Sequence, residues 1–225
     1  MKVWKCLLAT MGFLMQVVMA APERIAILGD SITYGGRWPT RLESALRGTD
    51  RFADAAIVNF GLSSETVSGL SEPGHAGGAF PRPCLHERLQ RVLEQFRPTL
   101  VLACYGMNDG IYLPLADDRQ KAFQDGCIKL KADAEKSGAS IVFISAPLFS
   151  ADQPQRDDKQ YDAVLDAQAK WLTAQKKQGW QVIDMRPALR ESVAAAKKCL
   201  KSITPTLSPL TKRYRLPPAV LKKTR

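Results

Sequence analysis

Five short apolar runs constrain the fold of this chain more than any other feature. They cover residues 25–28, 56–60, 100–105, 141–144 and 181–183. Most are rich in Val, Ile and Leu, and they do not alternate cleanly between apolar and polar side chains. Short apolar runs of this kind are typical of parallel strands that are buried on both faces of a sheet.

Helical patterns lie between these runs. Three apolar stripes recur at helical spacing: Leu85, Leu89, Val92, Leu93 and Phe96; Phe123, Cys127, Leu130 and Ala134; and Tyr161, Leu165, Gln168 and Leu172, with one polar interruption. Residues 38–46 and 187–200 are two further helix candidates. Strands and helices that alternate in this way predict an α/β fold, a three-layer α/β/α sandwich around a five-stranded parallel sheet.

The N-terminus has the composition of a secretory signal peptide. Lys2 and Lys5 precede an apolar run over residues 7–19, and small residues up to Ala20 suit a cleavage site. The alternative is a membrane anchor, but the run is short and contains Thr10 and Gln16. We therefore expect residues 1–20 to be a signal peptide. The protein would be exported to the periplasm or the extracellular space, with no stable membrane span after cleavage.

The net charge of +10 is concentrated at the C-terminus. Nine of the 32 Lys and Arg residues lie in residues 197–225, which contain no acid, while the rest of the mature chain is close to neutral. A basic protein can indicate a nucleic-acid partner. Here the basic strip has one aromatic residue, Tyr214, and is better explained as a solvated tail. We therefore predict no nucleic-acid binding.

Polar clusters follow three of the predicted strands. They occupy residues 29–33 (Gly-Asp-Ser-Ile-Thr), 63–66 (Ser-Ser-Glu-Thr) and 106–109 (Gly-Met-Asn-Asp). Because ligands bind beyond the carboxyl ends of parallel strands, we expect the three clusters to meet at one edge. A serine at a strand-to-helix turn, together with an asparagine amide and backbone N–H groups, suits acyl transfer. The alternative is that Asp30 and Ser31 only cap a helix.

These three clusters, with residues 59–66 as the second block, resemble the first three blocks of the SGNH (GDSL) hydrolases. The resemblance covers residues 24–190 and implies a flavodoxin-like fold for a domain spanning residues 21–205. It also implies hydrolysis of esters, including lipids, thioesters and acetylated carbohydrates. By this resemblance Ser31 is the nucleophile, and its N–H and the Asn108 side chain donate to the oxyanion. No metal or organic cofactor is implied.

The second block departs from the family pattern. The family places a glycine N–H there as a third oxyanion donor, but this chain has Ser64 at that position. A backbone N–H survives a change of side chain, although Ser64 lacks the conformational freedom of glycine. Gly61 is a second candidate for this donor.

The catalytic base is missing from its expected place. The family takes it from an Asp-x-x-His block near the C-terminus, but the only histidines here are His75 and His86. Residues 206–209 (Thr-Leu-Ser-Pro) resemble what commonly precedes that block, and an atypical basic sequence follows, so residues 206–225 form an atypical tail. Serine without a base is a poor nucleophile, and we expect impaired catalysis.

Three explanations for the missing base remain open. The native reading frame is lost near Leu210, or His75 acts as base or substrate ligand from the Gly/Pro-rich loop of residues 69–83. The third is a pseudohydrolase that binds an esterified glycan or lipid without turnover. The same loop could shape an open polar site, and we expect a small ester or an acylated carbohydrate as substrate.

Overall fold

The computed structural model describes residues 22–149 and 158–198. The strands are β1 (Arg24–Gly29), β2 (Ala56–Asn59), β3 (Leu100–Cys104), β4 (Ser140–Ile144) and β5 (Gln181–Ile183). The helices are α1 (Ser31–Tyr34), α2 (Arg37–Arg47), α3 (Leu89–Phe96), α4 (Asp117–Lys136), α5 (Asp158–Ala174) and α6 (residues 186–198). The predicted signal peptide and the tail of residues 206–225 lie outside the described residues.

The five strands form one parallel sheet in the order β2-β1-β3-β4-β5. This order is that of the flavodoxin-like doubly wound folds. Strand β1 pairs with β2 on one side and with β3 on the other, where Gly29 is opposite Cys104. Strand β1 lies between β2 and β3 in the sheet. The segments that follow β1, β2 and β3 are therefore neighbours at the carboxyl edge.

The two faces of the sheet are buried against different helices. Ile25 and Ile27 of β1 pack on one face with Trp38 and Leu42 of α2. The other face carries Ala26 and Leu28 of β1 and is covered by apolar side chains of three helices: Leu89, Val92 and Leu93 of α3, Phe123, Cys127, Leu130 and Ala134 of α4, and Leu172 of α5. These layers confirm the predicted α/β/α sandwich.

The polar interruption in the stripe of α5 is buried with the rest of that stripe. Gln168 is only 3 % exposed, and its side chain lies against Gly106, where an added Cβ would be 2.5 Å from Gln168 Oε1. Gln168 therefore contacts the segment that follows β3.

Two further findings concern the described residues alone. Cys84, Cys104 and Cys127 have free thiols. Among residues 22–149 and 158–198, no helix combines the length and the apolar character needed to cross a bilayer.

Candidate active site

Ser31 lies at the turn from β1 into α1 and is exposed. The preceding Asp30 has an extended backbone, and its carboxylate accepts the N–H of Ile32 at 2.9 Å, which caps the helix. Gly29 is required before it, because a Cβ there would lie 2.7 Å from the carbonyl oxygen of Cys104. The turn thus presents the Ser31 hydroxyl at the carboxyl edge of the sheet.

Asp30 is itself buried, with 2 % exposure. Burial raises its pKa to about 7, and the carboxylates of Asp109 and Glu65 add to the rise. The N–H of Ile32 and the charge of Arg82 act in the opposite direction. A carboxyl group that titrates near neutral pH therefore lies next to Ser31.

Asn59 joins the segment after β2 to α1. Its Nδ2 donates to the carbonyl oxygen of Thr33 at 2.8 Å, and its Oδ1 accepts the N–H of Gly61 at 2.9 Å. Gly61 lies so close to α1 that a Cβ would be 2.4 Å from the Tyr34 nitrogen. The N–H of Gly61 is therefore engaged by Asn59.

Ser64 has a left-handed backbone with φ of 66°. This is the region that glycine adopts without strain, so the serine retains the conformation expected of the family's glycine. Its carbonyl oxygen accepts Nη1 of Arg82 at 3.3 Å, whereas its N–H has no hydrogen-bond partner among the described residues. The Ser64 N–H is therefore available as a donor.

Asn108 is buried, and both ends of its amide are held. Nδ2 donates to the carbonyl oxygen of Glu65 at 3.1 Å, and Oδ1 accepts the hydroxyl of Tyr112 at 2.9 Å. An amide nitrogen carries two hydrogens, so one N–H remains beyond the bond to Glu65. The neighbouring Asp109 accepts the N–H groups of Val67 and Ser68, which joins the third cluster to the residues directly after the second.

A buried ion pair supports this junction. Glu65 has no exposed surface and receives Nε and Nη2 of Arg88, both at 2.6 Å, and the hydroxyl of Tyr105 at 2.6 Å. Arg88 also donates to the carbonyl oxygen of Phe60. Sequence reasoning missed Arg82, Arg88, Tyr105 and Tyr112, because no motif or spacing distinguishes them.

His75 contacts residues of its own loop. Its Nδ1 lies 3.6 Å from Glu72 Oε1, and its ring packs edge-on against Phe80 with centroids 5.8 Å apart. The hydrogen bonds and ion pairs of the described residues include none between His75 and Ser31. A role of His75 as base or substrate ligand stays a prediction.

Metal ligands are not grouped in the described part of the chain. Within residues 22–149 and 158–198, no cluster of three or more His, Cys, Asp or Glu side chains could hold a metal ion.

Comparison with known proteins identifies the family. The model of the GDSL-like lipase/acylhydrolase family matches residues 27–201. The chain belongs to this family of ester hydrolases. The match begins in β1 and includes all three polar clusters, so the resemblance of the motifs is confirmed.

The individual relatives have low sequence identity to this chain. An arylesterase of Vibrio mimicus is 27 % identical over 139 residues, which cover 59 % of this chain and 58 % of that protein. The chain thus matches less than two thirds of its curated relative's length. An acetylxylan esterase from Geobacillus stearothermophilus superposes with a TM-score of 0.52 at 18 % identity, covering 76 % of this chain and 80 % of that one.

A second structural neighbour supports the same fold. It is an alpha/beta hydrolase enzyme from the metagenome of Lake Arreo, Spain, with a TM-score of 0.54 and 20 % identity. The match covers 78 % of this chain and 83 % of that chain. At such identities these two neighbours establish the three-layer fold and leave the substrate to be argued from the site.

Proposed function

We propose that the chain hydrolyses small carboxylic esters with Ser31 as the nucleophile. The observation that carries this proposal is that the exposed Ser31 belongs to the same hydrogen-bonded unit as two unused donors. Asn108 keeps one amide hydrogen free, and the N–H of Ser64 has no partner among the described residues. Asn59 and Asn108 bond the three polar clusters into one unit at the edge of the sheet.

The reaction follows the usual course of serine acyl transfer. The Ser31 Oγ attacks the acyl carbon and loses its proton to solvent water, and the resulting oxyanion receives N–H groups from Ser31, Ser64 and the Asn108 amide. The alcohol leaves with a proton taken from solvent. Water then hydrolyses the acyl-enzyme, which releases the acid and returns a proton to the Ser31 oxygen. Of the two candidates in the second block, we favour Ser64, because Asn59 already engages the N–H of Gly61.

The substrate class is suggested by the relatives. The proteins similar to this chain include an arylesterase and an acetylxylan esterase. We therefore propose short acyl esters of phenols or acetylated carbohydrates as substrates. The site needs no metal or organic cofactor for this chemistry.

Turnover is proposed to be slow, because the sequence contains no histidine after His86. A general base typically contributes about 100- to 10,000-fold to such a rate. The oxyanion donors act independently of that base, so a residual activity is expected. The alternative is a pseudohydrolase, which would bind an esterified glycan or lipid without turning it over.

Hydrolysis of p-nitrophenyl acetate by the full chain tests this proposal. Ser31→Ala is expected to abolish turnover, and Asn108→Ala to lower kcat by about 100-fold or more. Ser63→Ala, which changes an exposed serine of the second cluster, is the control and should keep the wild-type rate.

Labelling with a fluorophosphonate separates the two candidate functions. Covalent labelling of Ser31 with slow turnover supports an impaired hydrolase. An unlabelled Ser31 in a folded chain that still retains an acetylated xylooligosaccharide supports the pseudohydrolase.

A further inference from the structure

Arg82 contacts Ser64, one proposed oxyanion donor, and Tyr112, the hydrogen-bond partner of Asn108, the other. It closes the long loop of residues 69–83 and is buried, with 7 % exposure. Its Nη1 donates to the carbonyl oxygen of Ser64 at 3.3 Å, and its guanidinium carbon lies 5.3 Å from the ring centroid of Tyr112. The Tyr112 hydroxyl in turn donates to Asn108. Arg82 therefore contacts Ser64 directly and Asn108 through Tyr112.

The orientation of Arg82 is determined on its other side. Nε and Nη2 donate to the two carboxylate oxygens of Glu72, each at 2.6 Å, and the backbone N–H of Arg82 donates to Ser71 Oγ at 2.9 Å. A planar guanidinium held in this bidentate way directs Nη1 at Ser64. A lysine has no such planar geometry and cannot reproduce both bonds.

Tyr112 holds the oxygen end of the Asn108 amide, and the carbonyl oxygen of Glu65, which can only accept, holds the nitrogen end. A hydroxyl that donates to Oδ1 keeps the oxygen on the Tyr112 side and leaves an N–H of Nδ2 available. A reversed amide would place an oxygen, which repels an oxyanion, where a donor is needed. The Tyr112 ring is stacked on Tyr161 with centroids 4.9 Å apart, so the hydroxyl has a fixed position.

The backbone has strained, left-handed conformations at Ser64 and at Tyr112. Ser64 has φ of 66°, and Ile111 and Tyr112 have φ of 47° and 57°, all in the left-handed region that side chains disfavour. Such conformations persist only where surrounding contacts hold them, and they occur frequently at functional sites. Arg82 contacts both segments, through the carbonyl oxygen of Ser64 and the ring of Tyr112.

We infer that Arg82 and Tyr112 are positioning residues that keep the Ser64 N–H and the Asn108 amide directed at the oxyanion. This inference rests on the proposed function of Ser31. The hydrogen bonds of the described residues include none from Arg82 or Tyr112 to Ser31, so we assign both residues an action through the donors. Because the oxyanion exists only in the transition state and intermediate, their loss should lower kcat and leave KM unchanged.

The test uses Tyr112→Phe and Arg82→Lys in the full chain. For each variant, kcat and KM for p-nitrophenyl acetate are measured, along with the second-order rate of Ser31 labelling by a fluorophosphonate. We expect kcat and the labelling rate to fall by about 10- to 100-fold, with KM changed less than about twofold. The labelling reaction also develops negative charge on oxygen, so it reports on the donors even where turnover is slow.

Matched controls separate positioning from general loss of packing. Tyr161→Phe keeps the aromatic stack and removes a buried hydroxyl, which donates to the carbonyl oxygen of Met107 at 2.8 Å. Arg47→Lys disrupts an arginine–carboxylate pair with Glu43 on the surface of α2. Both should keep the wild-type kcat and labelling rate.

The decisive measurement combines Tyr112→Phe with Asn108→Ala. If Tyr112 acts through Asn108, the labelling rate of the double variant equals that of Asn108→Ala alone. An additive loss overturns the inference, as does a wild-type labelling rate in Tyr112→Phe or an equal loss in Tyr161→Phe. If Arg82→Lys does not fold, the Tyr112 cycle decides alone. A wild-type chain that is not labelled at Ser31 overturns the proposed function and this inference with it.

Discussion

At the scale of single residues, Ser64 has the left-handed backbone that is expected of the glycine found at this position in the family. The N–H group, which the proposed chemistry needs, belongs to the backbone and is unaffected by the side chain. The side chain only adds strain, because a Cβ at φ of 66° crowds the backbone.

Ser64→Gly should therefore stabilise the protein and leave its activity intact. Relief of the left-handed strain outweighs the extra backbone entropy of glycine, so we expect a gain of about 0.5–1 kcal/mol in the free energy of unfolding. Urea unfolding measures the gain. Ser64→Ala keeps the strain and should show none, and a gain in both variants would contradict this explanation.

Asp30 makes a second prediction at this scale, on the pH dependence of stability. Its pKa is raised to about 7, so the native state holds the proton more tightly than the unfolded state does. The free energy of unfolding therefore falls as the pH rises from the usual carboxyl pKa toward 7. Asn cannot titrate, yet its Oδ1 can still accept the Ile32 N–H.

Asp30→Asn should consequently gain stability relative to wild type between about pH 5 and about pH 8, by on the order of a few kcal/mol. Urea unfolding of both proteins across that range is the measurement. Parallel pH profiles for wild type and variant would show that Asp30 is not the titrating group.

At the scale of elements, α6 is tied to α5 by a cluster of two arginines and two aspartates. Arg186 is 1 % exposed and bonds Asp162 at 2.6 Å and Asp166 at 2.9 Å, while the more exposed Arg190 bonds the same two carboxylates. Arg186 also donates to the carbonyl oxygen of Pro147. This cluster holds the segment after β5 against the segment after β4.

Arg186→Met and Arg190→Met form a matched pair, because both remove a guanidinium from the same two aspartates. Removing the buried partner should cost about 3–5 kcal/mol, whereas removing the exposed one should cost less than about 1 kcal/mol. Guanidinium chloride unfolding of both variants gives the comparison. Equal losses would mean that burial of Arg186 does not set its contribution.

At the scale of the whole molecule, the strand order explains how three distant segments come to share one site. Strand β1 lies between β2 and β3, so the residues after β1, β2 and β3 emerge side by side at one edge. Asn59 bonds the first two segments, and Asn108 bonds the second and third. The family's fourth block has no counterpart in this sequence.

Restoring that block should raise the rate of ester hydrolysis. Leu210→Asp combined with Arg213→His places Asp-x-x-His directly after residues 206–209, outside the described part of the chain. We expect kcat for p-nitrophenyl acetate to rise by at least about tenfold, a fraction of the usual contribution of a general base. Leu210→Asp alone lacks the imidazole and should give no gain. An unchanged rate in the double variant would contradict the view that loss of this block limits turnover.

Much of the architecture could be predicted from local pattern. The five apolar runs coincide with β1 to β5 to within one residue at each end, and the predicted stripe of α4 is fully buried at Phe123, Cys127, Leu130 and Ala134. The three polar clusters also lie at the predicted edge of the sheet, because a parallel sheet brings the carboxyl ends of its strands together. The stripe that begins at Leu85 starts as a 3₁₀ turn, and α3 begins only at Leu89.

The sequence by itself therefore determined the order of strands and helices, the family and the candidate nucleophile, since these follow from hydrophobic periodicity and short motifs. Only the tertiary structure showed that Asn59 engages the N–H of Gly61, whereas the N–H of Ser64 has no hydrogen-bond partner among the described residues. It also decided the partners of Glu65 and Asn108 and the raised pKa of Asp30. These properties depend on contacts and burial between residues far apart in the sequence, which no local pattern encodes.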